Sequence, residues 1–230
     1  MIKVMGLLHR RPDMQLDAFR LHWRTLHRGL ALRLAHSGIL RGYVQNHRLA
    51  IDIDGLVPCA DGLPELWFDD VDQLNGMRDS IAFREGAFHD SPRFMDVERY
   101  DSLLLQPELE VAPPSRIECA GLLKAMFIID DAPDEAIGQP GRSVIMGDIK
   151  PVRLSYHRGS PQSADIATRH CAAVETSWWS DLPTFLEAWS DRRMEQADGM
   201  LIEERPVFWP GERPPPADWS PVLTSERSTY

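Results

Sequence analysis

Two side chains near the start of the chain combine a residue type and a setting that suit proton transfer. His27 follows Trp23 by four residues at the edge of an apolar stripe, and imidazole titrates near neutral pH, so it can act as a general acid or base. Tyr43 lies on a predicted strand and can donate a hydrogen bond to a developing oxyanion. The structural alternatives are a core histidine bonded to a backbone carbonyl, and a tyrosine packed as an aromatic with its hydroxyl at the rim.

Glu65 and Trp67 are predicted to share one face of a strand, because side chains alternate along an extended chain. A carboxylate with apolar neighbours on a strand indicates either a cavity or an ion pair. An ion pair with Arg41 or Arg99 is the structural alternative for this carboxylate. We therefore treat both residues of the strand as candidate contacts to a substrate.

Phe88 and His89 lie in a segment without clear periodicity, from Ser80 to Pro92. An aromatic segment beside a pocket is typical of a lid, and an ordinary surface loop is the alternative. The predicted site then has two parts. His27 and Tyr43 are the catalytic residues, and the substrate-binding residues are Trp23, Glu65, Trp67, Phe88 and His89.

The sequence predicts neither a cofactor nor a metal site. His22 and His27 are five residues apart, about 140° around an α-helix, so one ion could not easily join them. The chain has no Gly-x-Gly-x-x-Gly run and no phosphate-binding loop, which argues against a nucleotide cofactor. We expect the chemistry to come from side chains alone.

Composition excludes several classes of partner. The net charge is -10, with 25 basic residues scattered among 35 acidic ones, which argues against nucleic acid. No run of about 20 apolar residues is present, so no membrane span is predicted. Three cysteines, far apart and odd in number, suggest no disulfide framework and a reducing cytoplasm as the location.

Hydrophobic periodicity predicts a β-α-β-β-α-β order in the first half of the chain. A long helix is expected to begin at an Asp13 N-cap and to end before Gly38. A second helix is expected to begin at Asp69-Asp70. The strands are predicted at 2–9, 39–48, 63–68 and 94–105.

A weak internal repeat predicts a second, divergent copy of this unit. Four short matches occur in order, with an offset that decreases from 115 to 106 residues. A single copy would leave one face of its sheet in water, whereas a second copy can bury it. The fold is therefore predicted as α+β, with two ferredoxin-like βαββαβ repeats forming an intramolecular α+β barrel. The matches are Gly6-Leu7-Leu8 with Gly121-Leu122-Leu123, His47 with His157, Glu65 with Glu175, and Glu98-Arg99 with Glu204-Arg205.

The predicted domain boundaries follow from proline and from the repeat. Pro113-Pro114 cannot continue a helix or a central strand, so residues 106–116 are assigned to a linker between a first domain, 1–105, and a second, 117–210. Residues 211–230 are a proline-rich arm expected to lie over the surface. The second domain has no full counterpart of the long first helix.

Three runs resemble the EthD family: FRLHWRTLH from Phe19, RGYVQNH from Arg41 and GLPELWFDDVDQL from Gly62. The resemblance covers residues 1 to about 105 and implies the dimeric α+β barrel fold, which methylmuconolactone isomerases and fungal polyketide dehydratases share. In the isomerases a helix-1 histidine, a strand-2 tyrosine and a strand-3 cysteine surround the ligand. His27 and Tyr43 match the first two, and Leu66 stands at the position of the cysteine.

Three functions compete at this point. The first is a cofactor-independent lyase or isomerase of a catabolic or secondary-metabolic pathway. It would dehydrate, or move a proton next to the carbonyl of, an aromatic, lactone or polyketide-like substrate. The second is a non-catalytic accessory protein that binds such a small molecule, and the third is a haem-binding barrel. A further homodimer of the fused pair is compatible with all three.

Overall fold

The structure, a computed structural model, describes residues 1–107, 109–110, 115–133, 137, 143–145, 147–162, 168–192 and 195–217. Within this part of the chain the strands form one sheet. Their bounds are β1 Ile2–Leu7, β2 Gly42–Arg48, β3 Leu56–Val57, β4 Gly62–Phe68, β5 Asp101–Leu105, β6 Leu109–Glu110, β7 Leu123–Ile129, β8 Arg153–Arg158, β9 Ala173–Trp179 and β10 Ala197–Phe208.

Four helices cover the sheet in the described residues, and two of them change form along their length. None of the described helices is long and apolar enough to cross a bilayer. The helices are α1, which runs as α-helix Leu16–His22, π-helical turn Trp23–His27 and α-helix Arg28–His36; α2, Val71–Met77; α3, which runs as π-helical turn Phe83–Ala87, α-helical turn Phe88–Asp90 and 3-10 turn Ser91–Arg93; and α4, Leu182–Trp189.

The two halves of the chain share one strand order. The first half runs β5-β1-β4-β2 across the sheet, and the second runs β10-β7-β9-β8, so each places its fourth, first, third and second main strands side by side. This is the ferredoxin-like order, and the first half has the predicted βαββαβ sequence of elements. Between β7 and β8 the described residues, 130–133, 137, 143–145 and 147–152, form no helix.

The sheet closes on itself within one chain. β2 pairs antiparallel with β10 at one junction of the halves. At the other junction Leu105 bridges Gly159, and backbone bonds run from Gln106 N to Arg158 O and from Ser160 N to Leu104 O, both 2.9 Å. The predicted α+β barrel is therefore confirmed, and the closed sheet leaves its interior face shared by both halves.

Apolar side chains separate into a helix-facing layer and a barrel interior. Val4, Tyr43 and Phe68 pack with α1 and α2 on the outer side of the first half. Met5 and Met200, from β1 and β10, belong to the interior cluster to which both halves contribute. Strand alternation thus sends neighbouring residues of one strand to two different cores.

The long helix forms where it was predicted, but its start differs. Gln15, not Asp13, occupies the N-cap position, because the Asp13 carboxylate bonds the Arg11 guanidinium instead. Gly38 follows the helix with a φ of 79°, a conformation that costs glycine little. Asp70 caps α2 as expected, its side chain accepting from Gln73 N at 2.8 Å.

Two predictions of local structure were wrong, and two short strands were not predicted. The segment 80–92 is largely helical, because the Ser80 hydroxyl accepts from Phe83 N at 3.1 Å and starts α3. The last strand of the first half begins at Asp101 rather than 94, after a 3-10 turn at Val97–Arg99. The predicted linker contains β6, which pairs with β8, and the short β3 was not foreseen.

The C-terminal arm is described as far as residue 217. Pro215 O accepts from His36 Nε2 at 2.9 Å, and Ala217 packs against the helix-facing core. This part of the arm lies over α1, while residues 218–230 fall outside the described residues, as do Pro113 and Pro114. The division into domains stays a prediction.

The four matches that suggested a repeat do not occupy equivalent positions. Lys3 pairs with Trp67 in the first half, and Lys124 pairs with Trp178 in the second, which makes Thr176, not Glu175, the counterpart of Glu65. A slip of one residue moves a strand side chain to the opposite face. His47 and His157 also lie on opposite faces, since His47 faces α1 and His157 bonds Lys3 in the interior. Gly6 and Leu7 lie within β1, whereas Gly121 and Leu122 precede β7. Glu98 lies in a 3-10 turn, whereas Glu204 lies in β10.

Candidate functional site

A buried carboxylate joins two histidines on the outer side of the first half. His27 Nδ1 lies 3.0 Å from Asp90 Oδ2, and His22 Nε2 lies 3.0 and 3.1 Å from the two oxygens of the same carboxylate. α1 supplies both imidazoles, and α3 supplies the carboxylate. The arrangement is a His22–Asp90–His27 cluster, named so below.

The electrostatics of the cluster fix the tautomer of His27. Burial raises the pKa of Asp90, but hydrogen bonds from His27 and His22 outweigh it and hold that pKa below its ordinary value. The ionised carboxylate accepts only, so Nδ1 of His27 carries the hydrogen and Nε2 is left as a base. The His27 side chain is 13% exposed, and within the described residues Nε2 has no hydrogen-bond partner.

The π-helical turn is what brings the two histidines together. The backbone N–H of Arg28 bonds Trp23 O, five residues earlier, instead of four. Residues five apart therefore lie above one another, and the expectation that His22 and His27 point about 140° apart was wrong. Both nitrogens are directed at Asp90, and among the described residues no three His, Cys, Asp or Glu form a set that could hold a metal ion.

Aromatic packing holds the cluster in place. The Phe94 ring stacks on His22 with centroids 5.0 Å apart and lies 4.7 Å from the ring of His27. A second π-helical turn, Phe83–Ala87, directly precedes the short turn that carries Asp90. Turns of this kind occur frequently at functional sites.

Phe88 and His89 are adjacent to the cluster but do not contact its imidazoles by any hydrogen bond in the described structure. Phe88 is 61% exposed and lies 5.6 Å from Phe83, ring to ring. His89 is exposed. The segment is helical rather than a loop, and the residue that it contributes to the cluster is Asp90. Sequence reasoning had no signal for that role, because it depends on how α3 packs on α1.

Tyr43 lies beneath the helix and points away from solvent. Its hydroxyl oxygen accepts from Trp23 Nε1 at 3.1 Å and from Gln45 Nε2 at 2.7 Å. Burial raises its pKa to about 12, although those two bonds lower it in part. Gly62 lets the indole of Trp23 approach the sheet, since a Cβ there would lie 2.3 Å from Cζ3. Tyr43 and Trp23 are thus core residues that position α1.

His47 belongs to the same chain of hydrogen bonds, and its burial makes the stability of the protein depend on pH. Its Nε2 lies 3.1 Å from Gln45 Oε1, and its Nδ1 is buried without a partner in the described residues. Burial lowers the pKa of His47 well below 6.5, and Arg20, Arg205 and Arg24 lower it further. The ring is therefore neutral in the folded protein.

We expect this ring to make the protein less stable as the pH falls below 6.5. The unfolded chain takes up the proton first, so the free energy of unfolding decreases by up to about 1.4 kcal/mol per pH unit below 6.5. Urea unfolding of the wild type and of His47→Gln, at several pH values, measures the difference in slope. Equal slopes in the two proteins would show that His47 is protonated in the folded state.

Glu65 does not belong to this cluster. It faces the barrel interior, where Lys3, Arg116 and Lys124 surround its carboxylate; Arg116 Nη1 donates to Oε2 at 2.8 Å, and Lys124 Nζ to Oε1 at 3.0 Å. The predicted partners Arg41 and Arg99 are not the ones found, since Arg41 bonds Asp69. Burial raises the pKa of Glu65, but the three cations hold it well below its usual value.

The structure divides the predicted site residues among three places. His27 joins the cluster, Tyr43 and Trp23 form the core beneath it, and Glu65 and Trp67 lie at one end of the barrel. Three of the predicted substrate-binding residues, Trp23, Trp67 and Phe88, lie in separate places and do not line one cavity. A surface groove of about 850 Å³ lies elsewhere, and none of these residues lines it; its lining includes Met1, Asp69, Asp72, Leu105 and Pro161.

Comparison with known proteins places the cluster inside a recognised domain. Residues 11–98 match the EthD domain family. The first half of the chain is therefore similar to an EthD domain. The match includes His22, His27 and Asp90, and it ends before β5. No curated protein matches the sequence significantly.

Solved structures show a distant likeness in fold. Chlorite dismutase from Candidatus Nitrospira defluvii, in complex with imidazole, is 11% identical over 88% of this chain and 90% of that chain, with a TM-score of 0.44. A proposed monooxygenase from Lactobacillus acidophilus NCFM is 7% identical over 88% of this chain and 93% of that chain, with a TM-score of 0.46. Neither similarity carries an argument about function.

Proposed function

We propose that this EthD-domain protein is a cofactor-independent lyase or isomerase in which His27 moves a proton next to a substrate carbonyl. The observation that supports it is the hydrogen bond between His27 Nδ1 and the buried Asp90 carboxylate. A carboxylate in this place orients an imidazole and stabilises the imidazolium that forms when Nε2 accepts a proton.

The proposed reaction moves one proton through His27. Nε2 of neutral His27 takes the proton from the carbon next to the carbonyl, and the electron pair of that C–H bond becomes the enolate. An isomerase returns the same proton at another carbon. A lyase passes it to a β-hydroxyl, which leaves as water when the enolate collapses. Tyr43 does not serve as the oxyanion donor in this proposal, because its hydroxyl is buried against Trp23 and Gln45.

The substrate remains defined by class, an aromatic, lactone or polyketide-like carbonyl compound, as the EthD resemblance implies. The matched family fits a role in processing a small molecule. Haem binding is not favoured, because the space between α1 and the sheet is filled by the packed rings of Phe19, Trp23 and Phe94.

Proton exchange tests the proposal without knowledge of the product. A panel of lactones, aromatic ketones and β-hydroxy ketones is incubated with the protein in D2O, and exchange next to the carbonyl is followed by proton NMR. The wild type is expected to accelerate exchange for at least one class, and His27→Asn to lose it. The matched control His170→Asn, an exposed histidine of the second half, should keep it. Equal exchange in wild type and His27→Asn contradicts the proposal, and a ligand bound without exchange favours the accessory-protein alternative.

A further inference from the structure

One end of the barrel holds a cage of three indole rings around the Arg116 guanidinium. Two of these rings also face other cations, Lys3 at Trp67 and Lys124 and Arg153 at Trp178. The Arg116 guanidinium lies 4.8 Å from the ring centroid of Trp209, 5.7 Å from Trp178 and 5.9 Å from Trp67. The rings come from β4, from β9 and from the chain just after β10, so both halves build the cage. Aromatic faces attract a cation when it is shielded from water.

The carboxylates of Glu65 and Glu204 form the floor of the cage, and their positions match the planar N–H donors of a guanidinium group. Arg116 Nε donates to Glu204 Oε1 at 2.9 Å, and Nη1 and Nη2 donate to the two oxygens of Glu65. All three nitrogens of the guanidinium therefore bond two carboxylates. Ammonium, a compact point charge, cannot reproduce this set.

The carboxylates are held in place without Arg116. Lys124 Nζ lies 3.0 Å from Glu65 Oε1 and 3.1 Å from Glu204 Oε2, and Lys3 pairs with Glu65 from the other side. Trp178 Nε1 also donates to Glu204 at 3.3 Å. Each carboxylate of the floor thus keeps at least one cationic partner when the guanidinium is removed.

The Arg116 guanidinium lies at the end of the barrel and close to solvent. The Arg116 side chain is 9% exposed, and Trp67 and Trp209 are half-buried. We propose that this barrel end is a binding site for a guanidinium group, which the chain fills with its own Arg116 and which accepts an external guanidinium ion when that side chain is cut back. The site is separate from the His22–Asp90–His27 cluster and does not depend on the function proposed for it.

Chemical rescue tests the site. Arg116→Ala is expected to lower the thermal midpoint by roughly 6–15 °C, because it leaves two buried carboxylates short of a partner. Guanidinium chloride at about 20 mM, far below denaturing concentrations, is expected to restore at least half of that loss, saturably, with a half-point on the order of millimolar. Tryptophan fluorescence should change over the same range, because three indoles line the cage.

The controls separate recognition from salt effects. Urea and sodium chloride at the same concentration should restore nothing, and the exposed Arg33→Ala should neither lose stability nor respond to guanidinium. If Arg116→Ala does not fold, refolding yield with and without guanidinium gives the same comparison. Rescue equal to that by sodium chloride, or an Arg116→Lys variant as stable as the wild type, would overturn the proposal, because either shows that charge alone is recognised.

Discussion

Replacing Glu65 with glutamine is expected to lower the free energy of unfolding by about 3–5 kcal/mol. The carboxylate bonds Lys3, Arg116 and Lys124 inside the barrel, and its side chain has no exposed surface. Glutamine keeps the shape but removes the negative charge, which leaves three cations around an amide with only Glu204 as a nearby carboxylate. Removing one partner from such a network costs more than the network contributes, because the remaining charges stay out of water.

Urea unfolding at neutral pH measures the loss, and Glu187→Gln is the matched control. Glu187 is exposed on α4, so the same chemical change there should alter the free energy of unfolding by no more than about 0.5 kcal/mol. The loss in Glu65→Gln should hardly depend on salt, since buried pairs are screened weakly. Equal losses in the two variants would mean that the interior network does not stabilise the barrel.

The same unfolding experiment at acid pH tests how the charge of Glu65 affects the free energy of unfolding. The pKa of Glu65 is held well below its ordinary value in the folded protein, so its contribution is present above that ordinary value and is lost as the pH falls toward the folded one. Glu65→Gln should therefore show a weaker decline of stability below about pH 4.5 than the wild type. This part of the measurement reports on the charge and not on packing.

Replacing Asp90 with asparagine is expected to lower turnover by roughly 10²–10⁴-fold once a substrate is identified. Asparagine can present an amide N–H to His27 Nδ1, and the imidazole would then carry its hydrogen on Nε2, where the proposed base must be free. The carboxylate that stabilises the imidazolium is lost as well. The effect should appear in kcat, with little change in KM, because Asp90 bonds the imidazole rather than the ligand.

His170→Asn again serves as the control, since it changes an exposed histidine of the second half, outside the cluster. His22→Asn gives an intermediate case, because it removes one of the two imidazoles that bond Asp90 and leaves His27 in place. Circular dichroism confirms that α1 and α3 still form. Unchanged turnover in Asp90→Asn would mean that the carboxylate only secures the packing of α3 on α1.

The architecture could be predicted from periodicity, but the residues that were used to support the repeat were not its true markers. Lys3 and Trp67 lie opposite each other, as do Lys124 and Trp178, and both pairs face the barrel interior. The spacing Lys-x-Met recurs at Lys3 and Lys124, and it would have given the correct register. The matches of Glu65 with Glu175 and of His47 with His157 gave the wrong register, because a shift of one residue moves a strand side chain to the opposite face of the sheet. Duplication of an ancestral unit stays a prediction that this shared register supports.

The candidate site was predicted only in part, for a reason of helix geometry. His27 was identified by its residue type and its place on the stripe, whereas its partner Asp90 was assigned no role. Pairing the two requires a π-helical turn, which places residues five apart on one side of a helix, and no pattern in the sequence indicated that turn. The segment from Ser80 to Pro92 showed no clear periodicity, yet most of it forms α3.

Arg116 shows what a single-chain barrel can do that a pair of identical chains cannot. Two identical subunits related by a twofold axis supply every residue twice, so a side chain placed on the axis meets its own copy. Here one arginine, in the segment between the halves, bonds Glu65 on one side and Glu204 on the other. A barrel built from a single chain is therefore free of the twofold constraint, and one of its ends can form around a residue that occurs once.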